Sequence, residues 1–328
     1  MSKTDVLVVL AVLAAIAVAV LFVVTSDFFG TRGPRFSPDF SFREEPRNIP
    51  RDLIKYRQVL TIPTGFASAA GLAVGPDDRI YVAGDKAVRV WDKTGKLVGT
   101  PISGLDAEPR CIAVDAQGRV FLAHGAEVEI RSPDGALEKA LPAYASGGVV
   151  TRVVPDAAGV FVAVHKSLAE AFILRYDAAG GLKKAIVLGD MNLPNRFLDL
   201  AVFSDGLRVT DLGAVKTGRI RVYDFDGRLR HAWGFYDTTG DLSNLTGCCN
   251  PVHVAAMADG RLVTAEKGSQ PLVKVYHKDT ETDHGRVESV VAVLDGAEGL
   301  DLAVDSTGRI LVLDSHTSTV SVFERKSD

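Results

Sequence analysis

The residues best suited to chemistry stand at equivalent positions in a set of repeated segments. Arg152, Asp199, His253 and Asp301 each precede a short apolar stretch that recurs along the chain. Carboxylate and imidazole groups can hold a metal ion or move protons, and arginine and lysine bind anionic groups. We therefore expect one ligand or partner site formed by Arg152, Asp199, His253, Glu266, Lys267, Asp301 and Asp314.

Three interpretations of this set compete. The first is a group of polar side chains that simply line a water-filled opening. The second is a site for a peptide, small ligand or partner, contacted by Arg152, His253, Glu266 and Lys267. The third is a metal-assisted enzyme in which a divalent ion is held by Asp199, His253, Glu266 and Asp301. Oxygen ligands suit Ca²⁺ and a histidine also admits Zn²⁺, so the residues allow either ion without requiring one.

Two adjacent cysteines form a separate candidate. Cys248 and Cys249 lie in the segment that leads to His253, and Cys111 is the only other cysteine. In an oxidising compartment the pair could form a vicinal disulfide that stiffens this segment or responds to redox conditions, and in a reducing one it would be two thiols. Three cysteines are too few for a disulfide framework. No accompanying Cys/His spacing typical of a zinc site is present.

These residues are positioned by a repeat of short strand signals. Clear copies are GLAVGPDDRIYVAGDKAVRVWDKTGK from Gly71, CIAVDAQGRVFLAHGAEVEIRSPDG from Cys111 and DLAVDSTGRILVLDSHTSTVSVFER from Asp301. Their anchor residues and those of three weaker copies are 40 to 54 residues apart: Leu72, Ile112, Val153, Leu200, Val254 and Leu302. A period of roughly 40–50 residues made of short strands is typical of a β-propeller. The sequence therefore predicts an all-β, six-bladed propeller.

The last repeat ends after three strands, and its missing fourth strand has a source near the other end. Residues 57–62 (RQVLTI) alternate like the outer strands of the other repeats. We expect this segment to close the last blade, which would remove exposed sheet edges. The propeller would then span residues 53–326. A degenerate seventh blade is the alternative, in the long intervals between Val153 and Val254, although no extra innermost strand signal appears there.

The amino-terminal part is predicted to be a membrane anchor followed by a linker. After a five-residue tail, Val6–Val24 is an uninterrupted apolar run, which as a helix would span about 28 Å, close to a bilayer core of roughly 30 Å. A cleavable signal usually has a shorter apolar region and a small-residue site after it. Residues 25–52 are rich in Pro, Arg and Phe and predict a linker. We expect a single-pass protein of the inner membrane, with the propeller on the periplasmic or extracellular side.

The repeat resembles that of NHL-repeat proteins. The shared pattern is an apolar residue, Ala-Val-Asp, a turn with glycine and a strand. It is clearest at Leu72–Ala83 with Val88–Asp92, and at Ile112–Ala123. The stretch from Gly247, GCCNPVHVAAMADGRLVTAEKG, is similar to a segment of bacterial membrane-anchored NHL-repeat proteins. The resemblance implies a bacterial envelope setting and a propeller that binds protein or nucleic acid. It also grades into gluconolactonase-like enzymes, which hold a metal with Glu, Asn and Asp at the channel mouth.

Composition narrows the choice among these functions. A formal net charge of −4 with 24% charged residues gives no basic surface for nucleic acid, so we expect none to bind. No Gly-rich phosphate loop, GxSxG elbow or HExxH helix occurs. We therefore expect a membrane-tethered platform that binds a protein, a peptide or a small envelope ligand, and not an enzyme. A metal-assisted lactonase or lyase and a redox module acting through Cys248 and Cys249 are the alternatives.

Overall fold

The described part of the chain contains six four-stranded antiparallel sheets. The computed structural model describes residues 48–144, 147–167, 170–189, 198–211, 219–237, 241–246, 250–267, 270–278, 285–294 and 300–327. All of them belong to one compact unit. The sheets are the blades of the predicted six-bladed propeller.

The strands follow the chain from the innermost to the outermost in blades 1 to 5. Blade 1 contains β2 (Ala69–Val74), β3 (Ile80–Gly84), β4 (Ala87–Trp91) and β5 (Leu97–Ile102). Blade 2 contains β6 (Cys111–Val114), β7 (Val120–His124), β8 (Glu127–Arg131) and β9 (Leu137–Leu141). Blade 3 contains β10 (Val149–Asp156), β11 (Gly159–Ser167), β12 (Glu170–Asp177) and β13 (Leu182–Leu188).

The remaining blades repeat this order with one addition. Blade 4 contains β14 (Leu200–Phe203), β15 (Gly206–Thr210), β16 (Ile220–Tyr223) and β17 (Leu229–Trp233). A short parallel pair, β18 (Tyr236–Asp237) and β19 (Leu245–Thr246), precedes blade 5, which contains β20 (His253–Ala256), β21 (Leu262–Glu266), β22 (Leu272–Tyr276) and β23 (Val287–Val293). Blade 6 contains β24 (Leu300–Val304), β25 (Ile310–Asp314), β26 (Thr319–Arg325) and, as its outer strand, β1 (Tyr56–Pro63).

The ring is closed as the sequence predicts. β1 runs antiparallel to β26, with Gln58 opposite Phe323 and Thr61 opposite Ser321. The first and last strands of the propeller thus share one sheet, and the outer strand of blade 6 is taken from the other end of the chain. This closure fixes the number of blades at six.

In blades 2, 3, 5 and 6 an aspartate accepts a backbone hydrogen bond within the turn between the first and second strands. In blade 2 the Asp115 carboxylate accepts hydrogen bonds from the amides of Gln117 and Arg119, and Gly118 has a φ of 80°. Glycine suits this left-handed conformation because it has no Cβ. Blade 1 has Asp78 at the equivalent place, with a φ of 56°, a conformation that aspartate adopts more readily than most residues.

The core lies between neighbouring blades. Val263 and Val275 of blade 5, for example, form one buried cluster with Val312 and Phe323 of blade 6. Apolar side chains on facing sheets interdigitate, and each buried one contributes about 1.5–3 kcal/mol. The blades are therefore stabilised mainly by each other, and this packing holds the six innermost strands around a central channel.

The two ends of this channel differ in which connections surround them. One end, called the mouth face, carries the segments that enter the innermost strands and the turns after the second strands. The other, called the far face, carries the turns after the first and third strands, such as 92–96 in blade 1 and 132–136 in blade 2. Strand direction alone produces this division, because successive antiparallel strands reverse at opposite ends.

The predicted tail (residues 1–5), anchor (6–24) and most of the linker (25–52) lie outside the described residues. Where the linker enters the described region, Arg51–Leu53 forms a 3₁₀ turn just before β1. No helix in the ranges given above has the length and apolar character needed to cross a bilayer.

Candidate functional site

Four of the residues expected at the mouth meet in a layer of charged side chains across the channel. Arg152 comes from β10, Asp199 directly precedes β14, His253 begins β20 and Asp301 lies in β24. We call these four residues the channel layer. Arg152 Nη1 lies 2.8 Å from Asp301 Oδ1, and Arg152 Nε lies 3.3 Å from Asp199 Oδ1. His253 Nδ1 lies 3.0 Å from Asp199 Oδ2 and 3.6 Å from Asp301 Oδ1.

The two carboxylates also join neighbouring blades. Asp199 accepts hydrogen bonds from the amide of Leu200, next to it in blade 4, at 2.8 Å and from that of Val254 in blade 5 at 2.9 Å. Asp301 accepts in the same way from Leu302 in blade 6 and from Leu72 in blade 1, both at 2.8 Å. Each aspartate therefore accepts one amide hydrogen bond from its own blade and one from the innermost strand of the next blade.

Arg152 crosses the channel. Its guanidinium comes from blade 3 and donates to the Asp301 carboxylate and to the carbonyl of Leu302, at 3.3 Å, both in blade 6. β10 has a register irregularity between Val150 and Arg152, where it pairs with β11. A planar guanidinium can contact two carboxylates and a carbonyl at once, which a lysine ammonium on a flexible stem does less well.

The close contacts shift the pKa values of the layer. Burial raises the pKa of Asp199, but Arg152 and His253 lower it more, so the net pKa lies below the usual value. Burial lowers the pKa of His253, but the charge of Asp301 and the bond to Asp199 raise it further, so the imidazole holds its proton more strongly than usual. Burial also lowers the pKa of Arg152, and the two carboxylates more than reverse this. With His253 protonated, the layer contains two cations and two anions.

The imidazole presents one nitrogen to the mouth. Because Nδ1 of His253 faces the carboxylates, Nε2 lies on the opposite side of the ring, and among the described residues it has no hydrogen-bond partner. His253 and Asp301 line a cavity of about 370 Å³ on the mouth face, together with Ser68, Thr151 and Arg110. The His253 side chain is 21% exposed, so it is the most accessible member of the layer.

Arg110 is a residue that the sequence-based prediction missed. It lies directly before β6 and lines the mouth cavity. Its side chain is exposed, and no hydrogen bond or ion pair holds its guanidinium within the described ranges. The alignment of the repeats places Cys111 at the position equivalent to Arg152 and Asp301. It therefore gives no reason to single out the residue before it.

The channel continues beyond the layer. A second cavity of about 240 Å³ is lined by Arg152 and by all six innermost strands, from Leu72–Val74 in blade 1 to Leu302–Val304 in blade 6. The channel layer therefore lies between this cavity and the one at the mouth face.

Cys111 lies beside this layer and is buried, with an exposed fraction of 3%. Burial raises the pKa of its thiol to about 12. The thiolate is the reactive form of cysteine, so Cys111 is a packed, unreactive side chain at neutral pH. Cys248 and Cys249 lie outside the described residues, and the vicinal pair stays a sequence-based prediction.

Glu266 does not join the channel layer. Its carboxylate forms an ion pair with Lys274 of the neighbouring strand, and both side chains are fully buried. Lys274 Nζ also donates to the carbonyls of Leu242 at 2.9 Å and Asn244 at 2.8 Å. This pair therefore fixes the segment that leads to His253 and is not part of the mouth cavity.

Lys267 and Asp314 have local structural contacts. The Lys267 backbone exchanges two hydrogen bonds with the side chain of Asn250, at 2.8 and 2.6 Å. The Asp314 carboxylate accepts from the amide of His316 and the hydroxyl of Thr317 and so closes the turn after β25. Of the seven predicted residues, the structure thus brings together Arg152, Asp199, His253 and Asp301.

The predicted metal set does not fit a metal ion. The Arg152 guanidinium contacts both Asp199 and Asp301, and Glu266 is paired with Lys274. Within the described ranges, no group of three or more His, Cys, Asp or Glu side chains is arranged to hold a cation. Where a divalent ion would need converging oxygen ligands, this channel has a guanidinium.

Comparison with known proteins supports the fold. The family model for the NHL repeat matches residues 300–323, which cover β24, β25 and most of β26. The chain is a six-bladed β-propeller with an NHL repeat. No curated protein is significantly similar to it in sequence. Among solved structures, this propeller is similar to a gluconolactonase from Xanthomonas campestris, with a TM-score of 0.60 and 17% identity over 86% of this chain and 95% of the other. At that identity the likeness concerns the fold alone.

Proposed function

We propose that the chain is a ligand-binding propeller whose mouth cavity takes a small molecule with an anionic group. The observation that carries this proposal is a pair of donors, His253 Nε2 and the Arg110 guanidinium, that line one cavity and have no partner among the described residues. Protonated imidazole and guanidinium both donate charge-assisted hydrogen bonds to carboxylate or phosphate oxygens. The channel layer as a whole is neutral when His253 is protonated, which leaves Arg110 as an excess positive charge.

The size of the cavity favours a small ligand. A volume of about 370 Å³ lies within the range of ligand pockets. The hydroxyls of Ser68, Thr151 and Ser315 also line it. These neutral donors and acceptors suit a ligand that carries hydroxyl groups beside its anionic group.

Calorimetric titration of the purified full-length chain tests this proposal. Gluconate and inorganic phosphate serve as anionic probes, and glucose serves as a neutral probe of similar size to gluconate. We expect gluconate or phosphate to bind and glucose to bind at least tenfold more weakly. Arg110→Gln should weaken binding at least tenfold, because each charge-assisted bond contributes about 1.5–3 kcal/mol. Arg51→Gln, an exposed arginine just before β1, is the matched control and should bind as the wild type does.

Two results would count against the proposal. One is the absence of binding by both anions. The other is equal binding by the wild type and Arg110→Gln, which would mean that any bound anion lies elsewhere.

Hydrolysis of a lactone or ester is the second candidate function. It is favoured by the Asp199–His253 pair, in which a carboxylate orients an imidazole whose other nitrogen faces a cavity. Such a histidine can transfer a proton to or from a bound substrate. The similar fold of the Xanthomonas gluconolactonase makes D-glucono-δ-lactone a reasonable test substrate.

The assay compares lactone hydrolysis by the full-length chain with the spontaneous rate. A rate above background that is abolished in His253→Gln, with or without added Ca²⁺ or Zn²⁺, would support catalysis. A rate equal to background under all conditions would leave binding as the only function of the mouth.

A further inference from the structure

One repeat position holds aspartate in three blades and a large apolar residue in two neighbouring ones. The position is the third after each anchor residue, where the far-face turn between the first and second strands starts. In blades 2, 3 and 6 an aspartate there accepts an amide hydrogen bond within its own turn: Asp115, Asp156 and Asp305. Blades 4 and 5 have Phe203 and Met257 at this position. In these two blades an apolar side chain therefore replaces a polar turn residue.

Phe203 and Met257 line a cavity of about 650 Å³ between the far-face turns of blades 4, 5 and 6. We call it the far-face cavity. Phe203 is partly exposed, and the Met257 methyl group lies against the blade 6 turn, 3.6 Å from the place of a Cβ on Gly308. Three innermost strands add smaller apolar side chains: Val202, Ala256 and Val304. The volume lies within the range of ligand pockets.

The wall on the blade 6 side is held in place from blade 1. Ser306 lines the cavity, and Asp78 of blade 1 accepts hydrogen bonds from its amide at 2.8 Å and from its hydroxyl at 2.9 Å. Arg309, after the same turn, donates to the carbonyl of Lys93 at 3.2 Å. The blade 6 turn is therefore fixed in the free protein, which limits the entropy cost of binding a ligand against it.

The charged side chains around the far-face cavity leave one cation in excess among the described residues. Three carboxylates line the cavity, and each forms an ion pair with an arginine of its own hairpin: Asp205 with Arg208, Asp259 with Arg261 and Asp305 with Arg309. Lys278 also lines the cavity, and it has no hydrogen bond or ion pair within the described ranges. These groups therefore favour a ligand that carries a negative charge.

Lys278 lies at the rim, between two turns. Its stem packs on the blade 5 turn, where a Cβ on Gly260 would stand 3.3 Å from Lys278 Cδ and Cε. Hydrogen bonds from Arg208 lower the pKa of Asp205 in the blade 4 turn, and the charge of Lys278 lowers it further. The exposed ammonium group therefore extends from the blade 5 turn toward the blade 4 turn.

We propose that the far-face cavity binds a small organic anion with a flat apolar body, of the aromatic carboxylate class. The ring of such a ligand lies against Phe203 and Met257, since aromatic and thioether side chains both make favourable contacts with a flat ring. Its carboxylate accepts a charge-assisted hydrogen bond from Lys278 at the rim. The channel layer separates this site from the mouth cavity, so the proposal does not depend on the function proposed for the mouth.

Methyl NMR of the full-length chain reports directly on this cavity. The chain contains three methionines, and Met257→Leu, a substitution of similar volume, identifies the Met257 methyl signal. The probe is 2-naphthoate, whose ring current shifts the signal of a methyl group that it contacts. We expect the Met257 signal to shift in a saturable way. Neutral 2-naphthamide should bind about fivefold more weakly, because it lacks the charge that pairs with an exposed lysine.

Substitutions at the rim test the role of the cation. In Lys278→Gln the affinity for 2-naphthoate, followed by the Met257 signal, should fall about fivefold, and that for 2-naphthamide should not change. Lys93→Gln, another exposed lysine of the far face, is the matched control and should behave as the wild type. Arg110→Gln, at the mouth, should leave the Met257 shift unchanged.

A larger side chain on the blade 5 turn tests the space itself. Ala258 is exposed and lines the cavity, so Ala258→Trp should fill it and abolish the binding of 2-naphthoate, and thermal unfolding checks that the fold is retained. An unshifted Met257 signal, equal binding of the two naphthalene compounds, or equal affinities of the wild type and Lys278→Gln would each overturn the proposal. So would a Met257 shift that is lost in Arg110→Gln, or binding that persists in a folded Ala258→Trp.

Discussion

Two ionic networks in this propeller contain similar groups but differ in what is buried. In the channel layer both anions are buried, and the side chains of Arg152 and His253 are 12 and 21% exposed. At the seam that closes the ring, Glu288 of β23 is the enclosed centre, and it contacts Lys55, Arg261 and Arg325. Lys55 and Arg325 are 37 and 42% exposed. We call Glu288 and its three partners the seam network.

The two networks therefore differ in what they do: the channel layer orients side chains, and the seam network joins parts of the fold. Arg152 is mostly buried and cannot rotate out to solvent. Its contacts therefore fix the direction of the Asp199 and Asp301 carboxylates, and through them the direction of the His253 ring. The cations of the seam network are partly exposed to water, so losing a contact with the carboxylate costs little free energy. That network joins the start of β1, the end of β26 and blade 5, without fixing a side chain for a ligand.

Asp199→Ala should produce the largest loss of stability. It removes one carboxylate from a buried guanidinium and leaves two backbone amides without their acceptor, so we expect a loss of about 3–5 kcal/mol in the free energy of unfolding. Urea unfolding followed by fluorescence measures it. Asp226→Ala, whose carboxylate is 73% exposed and pairs with Lys184, is the control and should change stability by less than about 1 kcal/mol. Equal losses in the two variants would contradict the distinction between the networks.

Glu288→Gln should cost less. The carboxylate is buried and accepts from Ser289 Oγ at 3.0 Å as well as from its cations, but two of those cations keep contact with water. We expect a loss of about 1.5–3 kcal/mol, the usual contribution of a hydrogen bond to a charged group. The same unfolding experiment applies. A loss as large as that of Asp199→Ala would show that the seam is no more hydrated than the channel.

The two networks should also differ in their dependence on pH. Burial raises the pKa of Glu288, but Ser289, Arg325 and Lys55 lower it more, to about 2 from an ordinary 4.5. Its contribution is therefore complete above pH 4.5 and is lost as the pH falls toward 2. The raised pKa of His253 acts in the opposite direction, since its contribution is complete below about 6.5 and is lost as the pH rises through the folded value.

The free energy of unfolding is measured from pH 2 to 9 for the wild type, Glu288→Gln and His253→Gln. These curves separate the contributions of Glu288 and His253 to stability. The difference between wild type and Glu288→Gln should shrink below pH 4.5, and that between wild type and His253→Gln should shrink above pH 6.5. Asp199, with its lowered pKa, adds the same loss of stability in acid to the wild type and to Glu288→Gln. Parallel curves for the wild type and His253→Gln above pH 6.5 would contradict a protonated imidazole in the channel layer.

Arg57→Gln should have the smallest effect. Arg57 pairs with Glu324 across the closing strands, and the two side chains are 62 and 35% exposed. Exposed pairs contribute about 0–1 kcal/mol, so the midpoint of urea unfolding should hardly move. A loss above about 2 kcal/mol would show that the closure of the ring depends on this exposed pair as well as on the strand pairing.

The candidate site could be predicted from the repeat only where backbone position decides side-chain position. Arg152, Asp199, His253 and Asp301 follow from the register, because each lies at the entrance of an innermost strand and these strands converge on one axis. Glu266 has an equally regular place at the end of β21, yet it contacts Lys274. Side chains near strand ends point to one side of the sheet or the other, and for Glu266 that side holds the next strand's lysine.

The sequence by itself determined six repeats of four strands, because alternating apolar residues and turn glycines recur with a fixed period, and it determined the closing strand by the same alternation. It also indicated which residues enter the channel. Tertiary structure alone decided their chemistry, since whether two aspartates hold a metal or an arginine depends on which side chain reaches across from the opposite blade. Arg152 makes that contact from 149 positions earlier in the chain than Asp301, a separation over which no local pattern can specify distance.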